Sequence, residues 1–142
     1  MFQSSSLVAW NHVHPVLVHF TTALLPVSLA SDVAGKLTDR YSLTPAAWWM
    51  LFYGAIATPL TAIAGWMWAS DIGTAGSAFG SLLTTHRWLG LGLFVAMTAL
   101  AVWRGRTFGR SEKPGAPYLA FALLVCLLLF YQGFTGGKMT LG

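Results

Sequence analysis

The stretch His12-Val13-His14-Pro15-Val16-Leu17-Val18-His19-Phe20 places three of the chain's four histidines within eight residues. It lies where a polar N-terminal segment gives way to a long apolar run. What solvates that run decides the fold. Charged residues make up 8% of the chain and hydrophobic residues 56%, against roughly 25% charged in an ordinary soluble domain. Eight basic and four acidic side chains cannot wet the surface of 142 residues. The expected solvent is lipid.

Four apolar segments each approach the ~20 residues that cross a bilayer. They cover about 15–34, 46–68, 82–103 and 117–134. This predicts an all-α fold, a single-domain integral membrane four-helix bundle. Pro15, Pro45 and Pro117 suit first helical turns, where a missing N–H costs nothing, while Pro26 and Pro59 are internal and expected to kink their helices. Gly35 is expected to close the first helix and Gly105 to follow the third. No basic n-region or small-residue cleavage site is evident at the start, so the first apolar segment is expected to be retained.

Lysine and arginine give an orientation. Lys36, Arg40, Arg104, Arg106, Arg110 and Lys113 follow the first and third segments, whereas only Arg87 and Lys138 lie on the other side. The positive-inside rule then puts both termini outside, on the periplasmic side of a bacterial inner membrane. Trp10, Trp66, Trp68, Trp88 and Tyr131 fall at the outer boundary, and Trp48, Trp49 and Trp103 at the inner one. They read as the aromatic belts. Met67, Met97 and Met139 read as packing residues. Cys126, the single cysteine, reads as a small apolar residue and excludes an internal disulfide.

In this topology His12, His14, His19, His86, Arg87, Asp71 and the Gly-rich tail gather at the outer face. Ionisable residues in a span usually face the bundle interior. His19 and His86 each stand near the start of an odd-numbered span, with Ala23, Pro26 and Ala30, or Gly90, on the same face. Small neighbours admit a flat ring. The candidate chemistry is bis-histidine ligation of haem b by His19 and His86, with His14 as substitute and Arg87 meeting a propionate. His14 precedes Pro15 and is expected in extended geometry outside the helix. His12 is the weakest candidate. Interhelical hydrogen bonding is the plain alternative for every one of these histidines. Copper or zinc held by His14, His19 and His86, with Asp71, is another.

No Walker motif, dinucleotide fingerprint, HExxH or intramembrane carboxylate pair is present. The basic excess is topological, so no nucleic-acid role is expected. The partners anticipated are the lipid bilayer, other membrane subunits, and a quinone or periplasmic electron carrier. A cofactor-free structural subunit of a larger complex is the alternative.

The motif His14-Pro15-Val16-Leu17-Val18-His19-Phe20 resembles the HPxLVHFP signature of the membrane-protein family known as domain of unknown function 2231. His86 heads the third span as in that family, and Gly136-Gly137-Lys138 takes its GGK-like position. Thr21 departs from the usual proline. The resemblance implies a four-helix membrane domain and a redox setting, because some members are joined to Rieske-type iron–sulfur domains. It carries His14, His19 and His86 over as the family's histidines.

Overall fold

In hydrocarbon every backbone N–H and C=O must be satisfied within the protein, and a helix does so locally. The computed structural model describes residues 9–72 and 80–141 and, of these, the side chains of 9–70 and 80–139. They form four helices: α1 (Trp10–Thr38), α2 (Leu43–Ile72), α3 (Gly80–Thr107) and α4 (Ala116–Leu141). Each is long and apolar enough to cross a membrane, with a mean hydropathy of 1.4 to 2.0 over its most apolar window. The expected spans lie inside these helices, which run further at both ends. Hydropathy marks only the part in hydrocarbon, whereas an established helix adds residues cheaply into the headgroup region.

Several local expectations change accordingly. Helix α1 begins at Trp10, upstream of Pro15, so Pro15 lies inside the helix and His14 has regular helical geometry. The carbonyl that Pro15 leaves without a donor belongs to Asn11, which is exposed. Gly35 does not close α1. It is buried, and a β-carbon there would lie 3.1 Å from the Thr44 hydroxyl of α2. The helix ends instead at Asp39 in left-handed geometry (φ 54°). Gly105 lies within α3, where it lets the Trp48 ring approach. The tail from Gln132 to Leu141 continues α4.

The helices pack in a ring, α1 on α2, α2 on α3, α3 on α4 and α4 on α1, so that α1 faces α3 across the bundle. The α1–α2 seam is the closest. There the Ser28 hydroxyl donates to the Ala47 carbonyl at 2.7 Å. Leu25, Leu51, Leu93, Met97, Leu100, Val125 and Cys126 form the buried core. Met97 and Cys126 therefore pack as their chemistry suggested. The outward faces are apolar as well, with Val16, Ile63, Leu127 and Phe130 more than half exposed. Apolar faces of that extent, on helices long enough to span a membrane, suit contact with lipid.

Candidate functional site

Helices α1 and α3 start at the same end of the bundle, where α2 and α4 finish. His14 on α1 and His86 on α3 are both half-buried there. Each ring is held through its Nδ1 by the next helix round. His14 Nδ1 lies 3.0 Å from the Thr61 carbonyl of α2. A carbonyl only accepts, so Nδ1 carries the proton and Nε2 keeps a lone pair. His86 Nδ1 lies 2.9 Å from the Thr135 hydroxyl of α4. That hydroxyl already donates to the Gln132 carbonyl at 2.9 Å, so it too must accept from Nδ1. Both imidazoles thus hold the tautomer with Nε2 unprotonated.

Glycines make room for the two rings. A β-carbon at Gly65 would lie 2.7 Å from His14 Cε1, and one at Gly136 would lie 3.1 Å from His86 Cε1. Trp68 flanks His14, with ring centroids 5.8 Å apart. Beside His86 the Gln132 amide donates to the His86 carbonyl at 2.9 Å. Gly90 yields its space to that amide, since a β-carbon there would meet Gln132 Nε2 at 3.1 Å. The Arg87 guanidinium lies over the Trp66 ring, 4.9 Å from its centroid. Two buried polar atoms at this end, Arg87 Nε and Gln132 Oε1, have no hydrogen-bond partner among the described residues.

His19 is placed differently. It is exposed on the outside of α1, with Nδ1 donating to the Pro15 carbonyl at 2.6 Å. Five residues separate it from His14, and five steps of 100° turn it about 140° around the helix. Only one of the two can turn into the bundle, and packing against α2 gives that place to His14. The interior pair is His14 with His86, where the sequence had put His19 first. His12 is exposed near the helix start. Asp71 lies in the last turn of α2, but its side chain falls outside the described residues. Among the described residues, no three His, Cys, Asp or Glu side chains are grouped to hold a metal ion.

Sequence reasoning missed a polar site at the opposite end. Asp32 of α1 and Arg104 of α3 form an ion pair across the bundle at 1% and 0% exposure. Arg104 Nη2 also donates to the Thr44 carbonyl of α2 at 3.1 Å, and its guanidinium lies 5.6 Å from the centroid of the Tyr118 ring of α4. All four helices meet at this one cation. Asp32 Oδ1 and Arg104 Nε remain buried without a partner among the described residues. The signal was a lone carboxylate inside an apolar span, at nearly the same distance along α1 as Arg104 is along the parallel α3. Just outside, Lys113 pairs with Asp39 and holds its carboxyl below the usual carboxylate range.

Four apolar helices with ionisable side chains turned inward at both ends define a multi-pass integral membrane protein. The profile of the predicted membrane protein family DUF2231 matches residues 11–142, and the chain belongs to that family. No curated protein and no solved structure matches it.

Proposed function

We propose that this protein is a small membrane electron carrier of the b-cytochrome kind, with haem b held between His14 and His86. One observation carries the reading. Two histidines on facing helices each commit Nδ1–H to a protein acceptor and keep the Nε2 lone pair. Ligating histidines are ordinarily anchored in this way, with the second nitrogen donating to a carbonyl or another oxygen. The donor set therefore fits haem iron. Gly65 and Gly136 keep the rings close to the helix backbones. Arg87, whose Nε has no partner among the described residues, would meet a propionate. The haem would supply one-electron transfer, while the protein supplies ligands, a dry setting and a local field.

The same reading places the histidine end at the periplasmic face of a bacterial inner membrane. Six of the eight Lys and Arg residues lie toward the other end, as the positive-inside rule requires of a cytoplasmic side. Electrons would pass to or from a quinone, a periplasmic carrier or a neighbouring subunit.

The test is an oxidised and a reduced absorption spectrum of purified protein made with haem available. A sharp reduced α-band is expected in the wild type and in His19→Ala, and its loss in His14→Ala and His86→Ala. A folded, colourless wild-type protein would overturn the proposal. Copper or zinc retained by that colourless protein would return the site to the metal alternative.

A further inference from the structure

At the arginine-rich end of the bundle the α2–α3 seam opens outward as a groove of about 330 Å³, a volume in the range of small-molecule sites. Its two walls differ in character. Helix α2 contributes Trp48 and Phe52, one turn apart, with ring centroids 6.1 Å apart and planes inclined by 30°. Helix α3 contributes Ala101 and Gly105, also one turn apart, flanked by Val102 and Arg106. The space exists because two small residues of α3 stand opposite two large rings of α2. A β-carbon at Gly105 would lie 3.0 Å from the Trp48 ring, so the glycine sets how far the indole crosses the seam.

The groove is graded with depth. Helix α2 begins at this end and α3 finishes at it. Trp48, Gly105 and Arg106 therefore lie toward the headgroups, and Phe52, Ala101 and Val102 lie a turn deeper, toward the hydrocarbon. Arg106 is exposed. No acid pairs with it among the described residues, whose ion pairs are Asp32 with Arg104 and Asp39 with Lys113. A second cation, Arg110, lies over the ring of Trp49, 5.8 Å from its centroid.

An uncompensated cation at the mouth and an apolar floor in line below it specify an anionic amphiphile. A zwitterionic head brings its own cation and gains less. A soluble acidic partner would leave the apolar floor unfilled. Bilayers supply anionic amphiphiles as phospholipids, and a guanidinium takes two phosphate oxygens at once. Basic pockets between membrane helices are a known setting for such headgroups.

We infer that the α2–α3 groove binds an anionic phospholipid, with Arg106 on its phosphate and one acyl chain lying along Phe52, Ala101 and Val102. This inference does not depend on haem, because no residue of the groove belongs to the histidine end.

The test is native mass spectrometry of the full chain released from detergent, with dioleoyl phosphatidylglycerol and dioleoyl phosphatidylcholine added at equal concentration. The two lipids differ only in the headgroup. One bound phosphatidylglycerol is expected, preferred over phosphatidylcholine about fivefold, the scale of one arginine at a charged membrane surface. Arg106→Gln should abolish the preference. Arg40→Gln removes the same charge from an exposed position in the α1–α2 connection, outside the groove, and should leave the preference intact. Val102→Phe, at an exposed position, fills the groove without changing any charge and should lower phosphatidylglycerol retention as much as Arg106→Gln does. Thermal unfolding of each variant confirms that it is folded. Equal retention of the two lipids by the wild type would overturn the inference. So would equal losses in Arg40→Gln and Arg106→Gln, the mark of diffuse charge, or undiminished retention in Val102→Phe. Oleate held in preference to phosphatidylglycerol would overturn it in favour of a fatty acid. A dimer that Val102→Phe dissociates would give the groove to a second copy of the chain and overturn it as well.

Discussion

Asp32 on α1 and Arg104 on α3 face each other across the bundle, and their ion pair is shut off from solvent at 1% and 0% exposure. The two charges cannot be judged separately. Forming such a pair in a low-dielectric interior roughly offsets its own desolvation, whereas removing one partner strands the other. Asp32→Ala or Arg104→Ala should therefore destabilise the protein by about 3–5 kcal/mol. The double variant Asp32→Leu/Arg104→Met should recover most of that loss. Unfolding in detergent across the full double-mutant cycle measures it. Additive losses in the double variant would show that the pair does not act as a unit.

Gly65 is the closest steric constraint on the histidine pair. A methyl group there would lie 2.7 Å from His14 Cε1, with Nδ1 at 3.0 Å. Gly65→Ala should displace the His14 ring, break its bond to Thr61 and cost about 1–3 kcal/mol, as overpacking does. Gly136→Ala, with 3.1 Å to His86 Cε1, should be milder. Imidazole ¹⁵N shifts report the ring and unfolding reports the cost. Gly65→Ala should also lower haem content if His14 is a ligand.

Thr135→Val keeps the shape and removes the acceptor of His86 Nδ1–H. The tautomer that leaves Nε2 unprotonated should lose its preference, visible as a change in the ¹⁵N shifts of His86. Under the haem proposal, retention should fall about 10- to 100-fold, the usual cost of deleting the support behind a ligating histidine. Unchanged shifts would mean that the Thr135 hydroxyl does not hold the His86 ring.

Asp39 titrates at the edge of the bundle. The Lys113 ammonium holds its carboxyl below the ordinary value, which is about 3.9 in an unfolded chain. A folded-state value that is lowered contributes stability above the unfolded value. That contribution is lost as pH falls through the folded one. Lys113→Ala should raise the Asp39 value toward about 3.9, read by carboxyl ¹³C titration, and high salt should do the same. Both groups are solvent-accessible, so the melting temperature near neutral pH should barely change.

The four spans, their order and the gathering of His14, His19 and His86 at one end were legible in the sequence. Composition chose lipid as solvent, lipid demanded helices, and antiparallel crossing brought the starts of α1 and α3 together. The DUF2231 family was legible too, from His14-Pro15-Val16-Leu17-Val18-His19-Phe20. Helix ends were not, since hydropathy stops at the hydrocarbon boundary while the α-helix continues past Pro15, Gly35 and Gly105.

Which histidine turns inward was decided only by tertiary packing. His14 and His19 are alike in chemistry and about 140° apart around α1, and nothing local ranks them. The docking of α2 does so, because the Thr61 carbonyl and the space at Gly65 are on the side of His14. Asp32 and Arg104 became partners for the same reason. They stand 72 residues apart, and only the placing of α1 opposite α3 brings one charge to the other. Sequence spacing carries the depth of a side chain in the membrane, but its rotational partner belongs to the neighbouring helix.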